Sequence, residues 1–241
     1  MDDRLLIVTC EHGGHEVPHA FAALFKEHRS LLDSHRGWDP GALELAQDLA
    51  QALGAPCFAS TTTRLLVDLN RSVGHRALFS EITRPLALAA RQEILALHYR
   101  PYRDAVEREV ALHIAAGRSV LHVAAHSFTP VLDEAMRRAD VACLYDPRRP
   151  AESDLAGRWL SALARRAPSL RLRRNYPYQG RSDGLAALLR KRFADAAYAG
   201  IELEVNQAFV AQGGAPWERL RSDLIDALAE ARAATRGQAP H

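Results

Sequence analysis

Short, continuously apolar runs of strand length, separated by stretches with helical periodicity, constrain this chain more than any other feature. Residues 5–9, 120–125 and 141–145 read as buried strands on that ground. Residues 57–60 and 65–69 add two candidate strands, and 170–174 a basic one. The last, 199–205, alternates Ile201, Leu203 and Val205 on one face with Glu202 and Glu204 on the other. Helices are predicted over 20–31, over 42–53 with Gly54 as the stop, over 85–116 with a kink near Pro101 and a stop at Gly117, over 151–166 and 183–193, and from Trp217 onward. Strands alternating with helices predict a three-layer α/β/α architecture around a mixed, mostly parallel sheet covered on both faces. The expected organisation is a single domain over residues 1–241, with the polar stretch 235–241 as a frayed tail.

The charge balance, 31 Lys and Arg against 29 Asp and Glu, leaves +2, too little for a domain built around phosphate backbones. Nucleic acid is therefore not an expected partner. Cys10, Cys57 and Cys143 lie far apart and form no CxxC pair, which argues against a disulfide framework or a cysteine-rich zinc site and predicts small core residues. No apolar run approaches the ~20 residues needed to span a bilayer. The first residues also run directly into an apolar strand, so a cytoplasmic protein with no membrane partner is expected.

Two stretches carry the chemistry. Glu11, His12, Gly13, Gly14, His15 and Glu16 follow the first strand, and His126 with Ser127 follows the run 120–125. Ligands of open α/β sheets sit at the carboxyl ends of strands, so two imidazoles delivered there could meet at one metal. Gly13 and Gly14 would let a ligand approach the backbone closely. His122, four residues before His126, must lie within the sheet and is expected in the core. Asp39 could cap the helix that follows Pro40 and Gly41, or serve as a carboxylate ligand. Asn70 and Arg71 place an amide and a guanidinium at a predicted strand end, where Arg can clamp a carboxylate bidentately, with Asp68 holding Arg71 in place. Glu202 and Glu204, on a covered sheet face, are costly unless they serve a metal or a proton transfer. Ser127 lacks a GxSxG context and fits a residue that orients His126.

Five segments in fixed order, around Cys10–Gly14, His35–Ala42, Arg64–Arg71, His126–Phe128 and Gly200–Glu204, resemble the N-formylglutamate amidohydrolase family over residues 5–225. That family is similar to zinc carboxypeptidases and to the aspartoacylase and succinylglutamate desuccinylase group. The resemblance implies a phosphorylase/hydrolase-like, zinc carboxypeptidase-like fold. It matches His12 and His126 to metal ligands, Glu204 to the general acid/base, and Asp68, Leu69, Asn70 and Arg71 to a substrate-binding segment. The wider group spaces its first ligands as His-x-x-Glu, whereas here His15 stands three residues after His12 and Glu16 four. Asp39 is taken as the carboxylate ligand because its whole segment is family-like, with Glu16 and then His15 as alternatives.

The expected activity is hydrolysis of the amide bond of a small N-acyl amino acid such as N-formylglutamate, with a Zn2+ cofactor held by His12, Asp39 and His126. The alternatives are a metal-dependent peptidase or deacylase acting on another acylated amino acid or peptide, and a non-catalytic protein of the same fold that holds a small acid through Arg71 and the loop 175–180.

Overall fold

The computed structural model describes residues 2–234; the tail expected over 235–241 lies outside the described residues. In chain order the elements are β1 (Leu5–Cys10), a 3-10 helix (His19–Phe25), α1 (Arg29–Leu32), α2 (Ala42–Leu53), β2 (Cys57–Ala59), α3 (Leu88–Ile94), a π turn (Leu95–Tyr99), α4 (Arg100–Ala115) and β3 (Val120–Phe128). They continue as β4 (Val131–Leu132), β5 (Ala135–Met136), β6 (Val141–Leu144), α5 (Pro150–Arg166), β7 (Leu172–Arg174), α6 (Leu185–Arg192), β8 (Tyr198–Asn206), α7 (Gln207–Gln212) and α8 (Gly214–Ala233).

Six strands form one sheet in the order β2-β1-β3-β8-β6-β7, and β4 and β5 form a separate antiparallel pair. The first four strands of the sheet run parallel, whereas β6 runs antiparallel to β8 and parallel to β7. The fold is therefore α/β with a mixed, mostly parallel sheet, as expected. Alternation along the strands sorts side chains onto two covered faces. Leu6, Val8, Leu121, Val123, Ile201 and Leu203 pack with α2, α5 and α8. Ile7, Val120 and Tyr198 pack with Val106 and Val110 of α4 and Leu185 and Leu189 of α6. His122, His126, Glu202 and Glu204 share the parity of this second face. Its helices cover the amino-terminal half of the strands, which leaves room over the carboxyl ends.

The main departures are local. Residues 65–69 form turns, not a strand. Side chains satisfy their backbone: the Thr63 hydroxyl accepts from Leu65 N, Ser80 Oγ donates to the Leu65 carbonyl and Thr83 Oγ1 to that of Leu66. Leu65, Leu66, Val67 and Leu69 are thus buried without a ladder, in a second core with Phe21, Phe25, Phe79 and Tyr99. The helix expected over 20–31 is split, because Phe21 and Phe25 supply its only buried positions before the exposed residues 26–28. The helix over 85–116 runs through a π turn immediately before α4, where Pro101 has no amide to donate. Gly54 ends α2 in the left-handed conformation at φ 62°, which favours glycine. Strand β3 extends to Phe128, so His126 lies inside it and not beyond its end. Cys10 and Cys143 are buried, but Cys57, on edge strand β2, is exposed.

Candidate metal centre and active site

Strands β1 and β3 pair from Leu5–Val120 to Thr9–Ala124, so β3 continues past the end of its neighbour. The chain leaving β1 turns at Gly13 and Gly14, where an added Cβ would meet Ser60 O at 3.0 Å and Thr61 O at 2.7 Å. His12 is thereby set beside the projecting His126, their ring centroids 5.2 Å apart. The turn before α2 supplies the third group. Asp39 N donates to the His12 carbonyl, and Ser127 Oγ donates to that of Pro40, tying this turn to β1 and β3. Asp39 does not cap α2 through its side chain; its carboxylate points at the imidazoles. Oδ2 lies 3.3 Å from His12 Nδ1 and 2.9 Å from His126 Nδ1.

The other ring nitrogens face buried carboxylates. His12 Nε2 lies 2.8 Å from Asp68 Oδ1. His126 Nε2 lies 3.3 Å from Glu11 Oε2, at ion-pair distance but outside hydrogen-bond alignment. Tyr102 OH donates to Glu11 Oε1. Arg64 spans Asp39 and Asp68 with its two terminal nitrogens, at 3.2 and 2.9 Å. Asp68, expected to hold the Arg71 side chain, thus holds His12 and Arg64 instead.

Three carboxylates against one guanidinium leave the cluster short of two positive charges when both imidazoles are neutral. Burial pushes the Asp39 and Asp68 carboxyls up, but for Asp39 the charge and hydrogen bonds of the imidazoles, and for Asp68 the Arg64 and His12 charges, hold them well below the usual range. Burial likewise opposes ionisation of Glu11, yet His126 holds it at about 2. Burial lowers the pKa of His126, but its hydrogen bond to Asp39 and the nearby charges of Asp39 and Glu11 raise it well above the ordinary value.

The donor set fits a divalent cation. Among the described residues, His12, Asp39 and His126 offer ligand atoms that all lie within 4.8 Å of one another. A tetrahedral zinc site with bonds of about 2.0–2.2 Å separates neighbouring donors by about 3.3–3.6 Å, and Asp39 Oδ2 lies 3.3 and 2.9 Å from the two Nδ1 atoms. Asp68 behind His12 Nε2 and Glu11 behind His126 Nε2 are placed to favour, with a cation bound, the tautomers whose Nδ1 faces it. Glu16 instead accepts from Thr61 Oγ1, and His15 is exposed beside Asp33 and Trp38, so neither alternative ligand approaches the pair.

Glu204 is the register partner of His126 on β8. It is 5% exposed, its Oε2 has no hydrogen-bond partner, and it lines a cavity of about 200 Å3 together with the three donor residues, Asn70, Arg71 and Glu202. Burial pushes its carboxyl up to about 8, His126 opposing and Asp39 and Glu202 adding to the shift. Glu202 is raised in the same direction, chiefly by burial. Asn70 Oδ1 accepts from Leu185 N, and Arg71 NH1 donates to the Asp183 carbonyl at 2.9 Å. His122 bonds Thr9 Oγ1 and Tyr198 OH in the core, as expected, and takes no part in the site. The cavity also holds Tyr178, from the loop 175–180 that the sequence offered for holding a small acid, His35, from the family-like segment 35–42, and Arg137 and Asp183, which no sequence pattern singled out because they lie outside regular elements. Burial, followed by the charges of Arg137, Arg36 and Arg64, lowers the His35 pKa.

A sequence profile described as N-formylglutamate amidohydrolase matches residues 5–211. A gene product of Agrobacterium tumefaciens has a crystal structure that superposes with a TM-score of 0.81 at 28% identity, over 95% of this chain and 91% of that one. The crystal structure of N-formylglutamate amidohydrolase from Ralstonia eutropha is similar in fold, with a TM-score of 0.69 at 17% identity, over 96% of this chain and 94% of that one. No curated protein sequence matches. No helix among the described residues is long and apolar enough to cross a membrane.

Proposed function

Because the chain belongs to the N-formylglutamate amidohydrolase family, we propose that it hydrolyses the amide bond of a small N-acyl amino acid, with N-formylglutamate as the leading substrate. His12, Asp39 and His126 would hold a divalent cation, zinc by the chemistry of the donor set. When bound, such a cation supplies Lewis acidity, which acidifies water and polarises a carbonyl.

The chain's own residues do the rest. Glu204, uncommitted in the cavity beside His126, accepts a proton from the attacking water. As the carbon–nitrogen bond breaks, it returns that proton to the departing amine, a general acid/base role worth typically about 100- to 10,000-fold. A high pKa suits the second half of this exchange, since the protonated acid must persist until the amine leaves. Asn70 and Arg71 hold the carboxylate of the substrate, and Asp68 and Glu11 keep both imidazoles oriented. The carrying observation is the convergence of two Nδ1 atoms and one carboxylate next to an unpartnered buried acid.

The test is hydrolysis by the zinc-supplemented protein across N-formyl, N-acetyl and N-succinyl amino acids and short peptides. Preferential release of formate from N-formyl amino acids is expected. Turnover of acylated peptides alone would replace this reading with a peptidase, and no turnover with bound zinc would replace it with a binding protein.

A further inference from the structure

A second cavity lies behind the loop that walls the active site. It holds about 410 Å3 and shares no lining residue with the first. Tyr178, Gln179, Ser182 and Asp183 line the catalytic cavity, whereas Arg181 lines this one. Its wall carries five cations, Arg148, Arg149, Arg181, Arg190 and Lys191, with Asp146 as the one acid lining it among the described residues. They come from the turn after β6, the loop before α6 and the last turn of α6, so no single basic run accounts for their convergence.

Carboxylates answer only part of this charge. Asp146 accepts from two guanidinium nitrogens of Arg148 at 3.0 and 2.7 Å. Buried Glu152 pairs with Arg190 at 2.9 Å and Arg149 at 3.3 Å, and Asp195 is a second partner of Arg149 at 3.5 Å. The side chains of Arg181 and Lys191 are exposed and form no ion pair or hydrogen bond among the described residues. Two positive charges are left over. The inner cations, meanwhile, are fixed by the fold. Arg149 donates to the carbonyls of Phe193 and Tyr198, and Arg190 to those of Gly180 and Gly200, which pins both guanidiniums between α5, α6 and β8. Arg149 Nε is buried without a hydrogen-bond partner. The inner wall is thus preorganised and positive, and the two exposed cations remain available to a ligand.

We propose that this cavity binds the phosphate group of a small soluble molecule. A phosphate monoester brings about two negative charges and three acceptor oxygens, which matches the leftover charge. Guanidiniums grip phosphate oxygens in forked pairs, and a lysine adds a point charge. A single carboxylate would neutralise only one of the two free cations. A lipid surface does not fit, because no exposed large apolar side chain among the described residues lies on α5 or α6. The site stands apart from the hydrolase reading and does not depend on it.

The experiment titrates the zinc-loaded protein with inorganic phosphate and with glycerol 3-phosphate by calorimetry, at constant ionic strength set with chloride. Saturable binding is expected, and Arg181→Gln together with Lys191→Gln should weaken it about 10- to 100-fold at an unchanged melting temperature. Arg71→Gln, in the catalytic cavity, should bind as wild type does. Tighter binding of glycerol 3-phosphate would identify a phosphorylated metabolite as the occupant, and equal binding inorganic phosphate itself. A double variant that binds like wild type would overturn the site, placing the phosphate in the catalytic cavity if Arg71→Gln loses it. No saturable binding of either small phosphate would also overturn it, whatever the protein does with duplex DNA or phosphatidic-acid vesicles.

Discussion

His126 and Glu204 are register partners on adjacent parallel strands, so an imidazole and a carboxyl from distant parts of the chain leave the sheet side by side on the same face. The pairing places a group with a candidate ligand nitrogen next to a group with an unpartnered oxygen. It also explains why His126 is the main influence opposing the upward shift that burial imposes on Glu204.

Glu204→Gln follows directly. In the cation-free protein the Glu204 carboxyl is held at about 8 by burial, so it is mostly protonated at neutral pH and glutamine is a near match in shape and charge. We predict an unchanged melting temperature and metal content, with turnover reduced about 100- to 10,000-fold. Near-normal formate release by this variant would remove Glu204 from the proton chemistry.

His126→Ala should bind zinc poorly, because it deletes one of three converging donors and leaves Asp39 and Glu11 facing a void. Metal analysis after dialysis is the check. Chelator-treated wild type should lose activity and regain it on zinc addition, whereas the variant should not recover at the same concentration. Full metal occupancy in the variant would exclude His126 as a ligand.

Asp68→Asn probes the group behind His12. It keeps a side chain of similar size but removes the charge that Arg64 and His12 both face. Loss of such a partner typically weakens metal affinity by about 10- to 100-fold. Competition with a zinc-binding dye would measure it. An affinity equal to wild type would mean that Asp68 serves Arg64 alone.

His122 predicts an acid limb of stability. Burial lowers its pKa from 6.5 to about 4, Glu11 opposing and Arg190 adding to the shift, while the unfolded residue keeps its ordinary value. Below pH 6.5 the unfolded chain therefore takes up a proton that the folded one refuses until about pH 4. Stability falls as pH drops through that window, by at most roughly 3 kcal/mol from this residue. Denaturant titrations of wild type and His122→Gln across pH 7 to 4 should converge as pH falls. Parallel curves would show that His122 titrates alike in both states.

Much of this was legible from local pattern. Apolar runs and helical periods located nearly all the sheet strands, and Gly54 its helix stop, because each depends on a few consecutive residues. Strand parity singled out Glu204, and the apolar run 120–125 led to His126. Residues 65–69 misled, since an apolar run reports burial and not backbone shape when hydroxyls of Thr63, Ser80 and Thr83 take over the hydrogen bonds of a ladder.

The sequence by itself determined the order of strands and helices, the candidate imidazoles, and the acid on the covered face. Only the tertiary structure decided that Asp39, and not Glu16 or His15, stands between the imidazoles, that Asp68 and Glu11 back them, and that Arg137 meets Tyr178 at the cavity. Periodicity is a property of neighbouring residues, whereas these meetings depend on the β1-β3-β8 order and on irregular segments folded over the strand ends. No repeat along the chain encodes either.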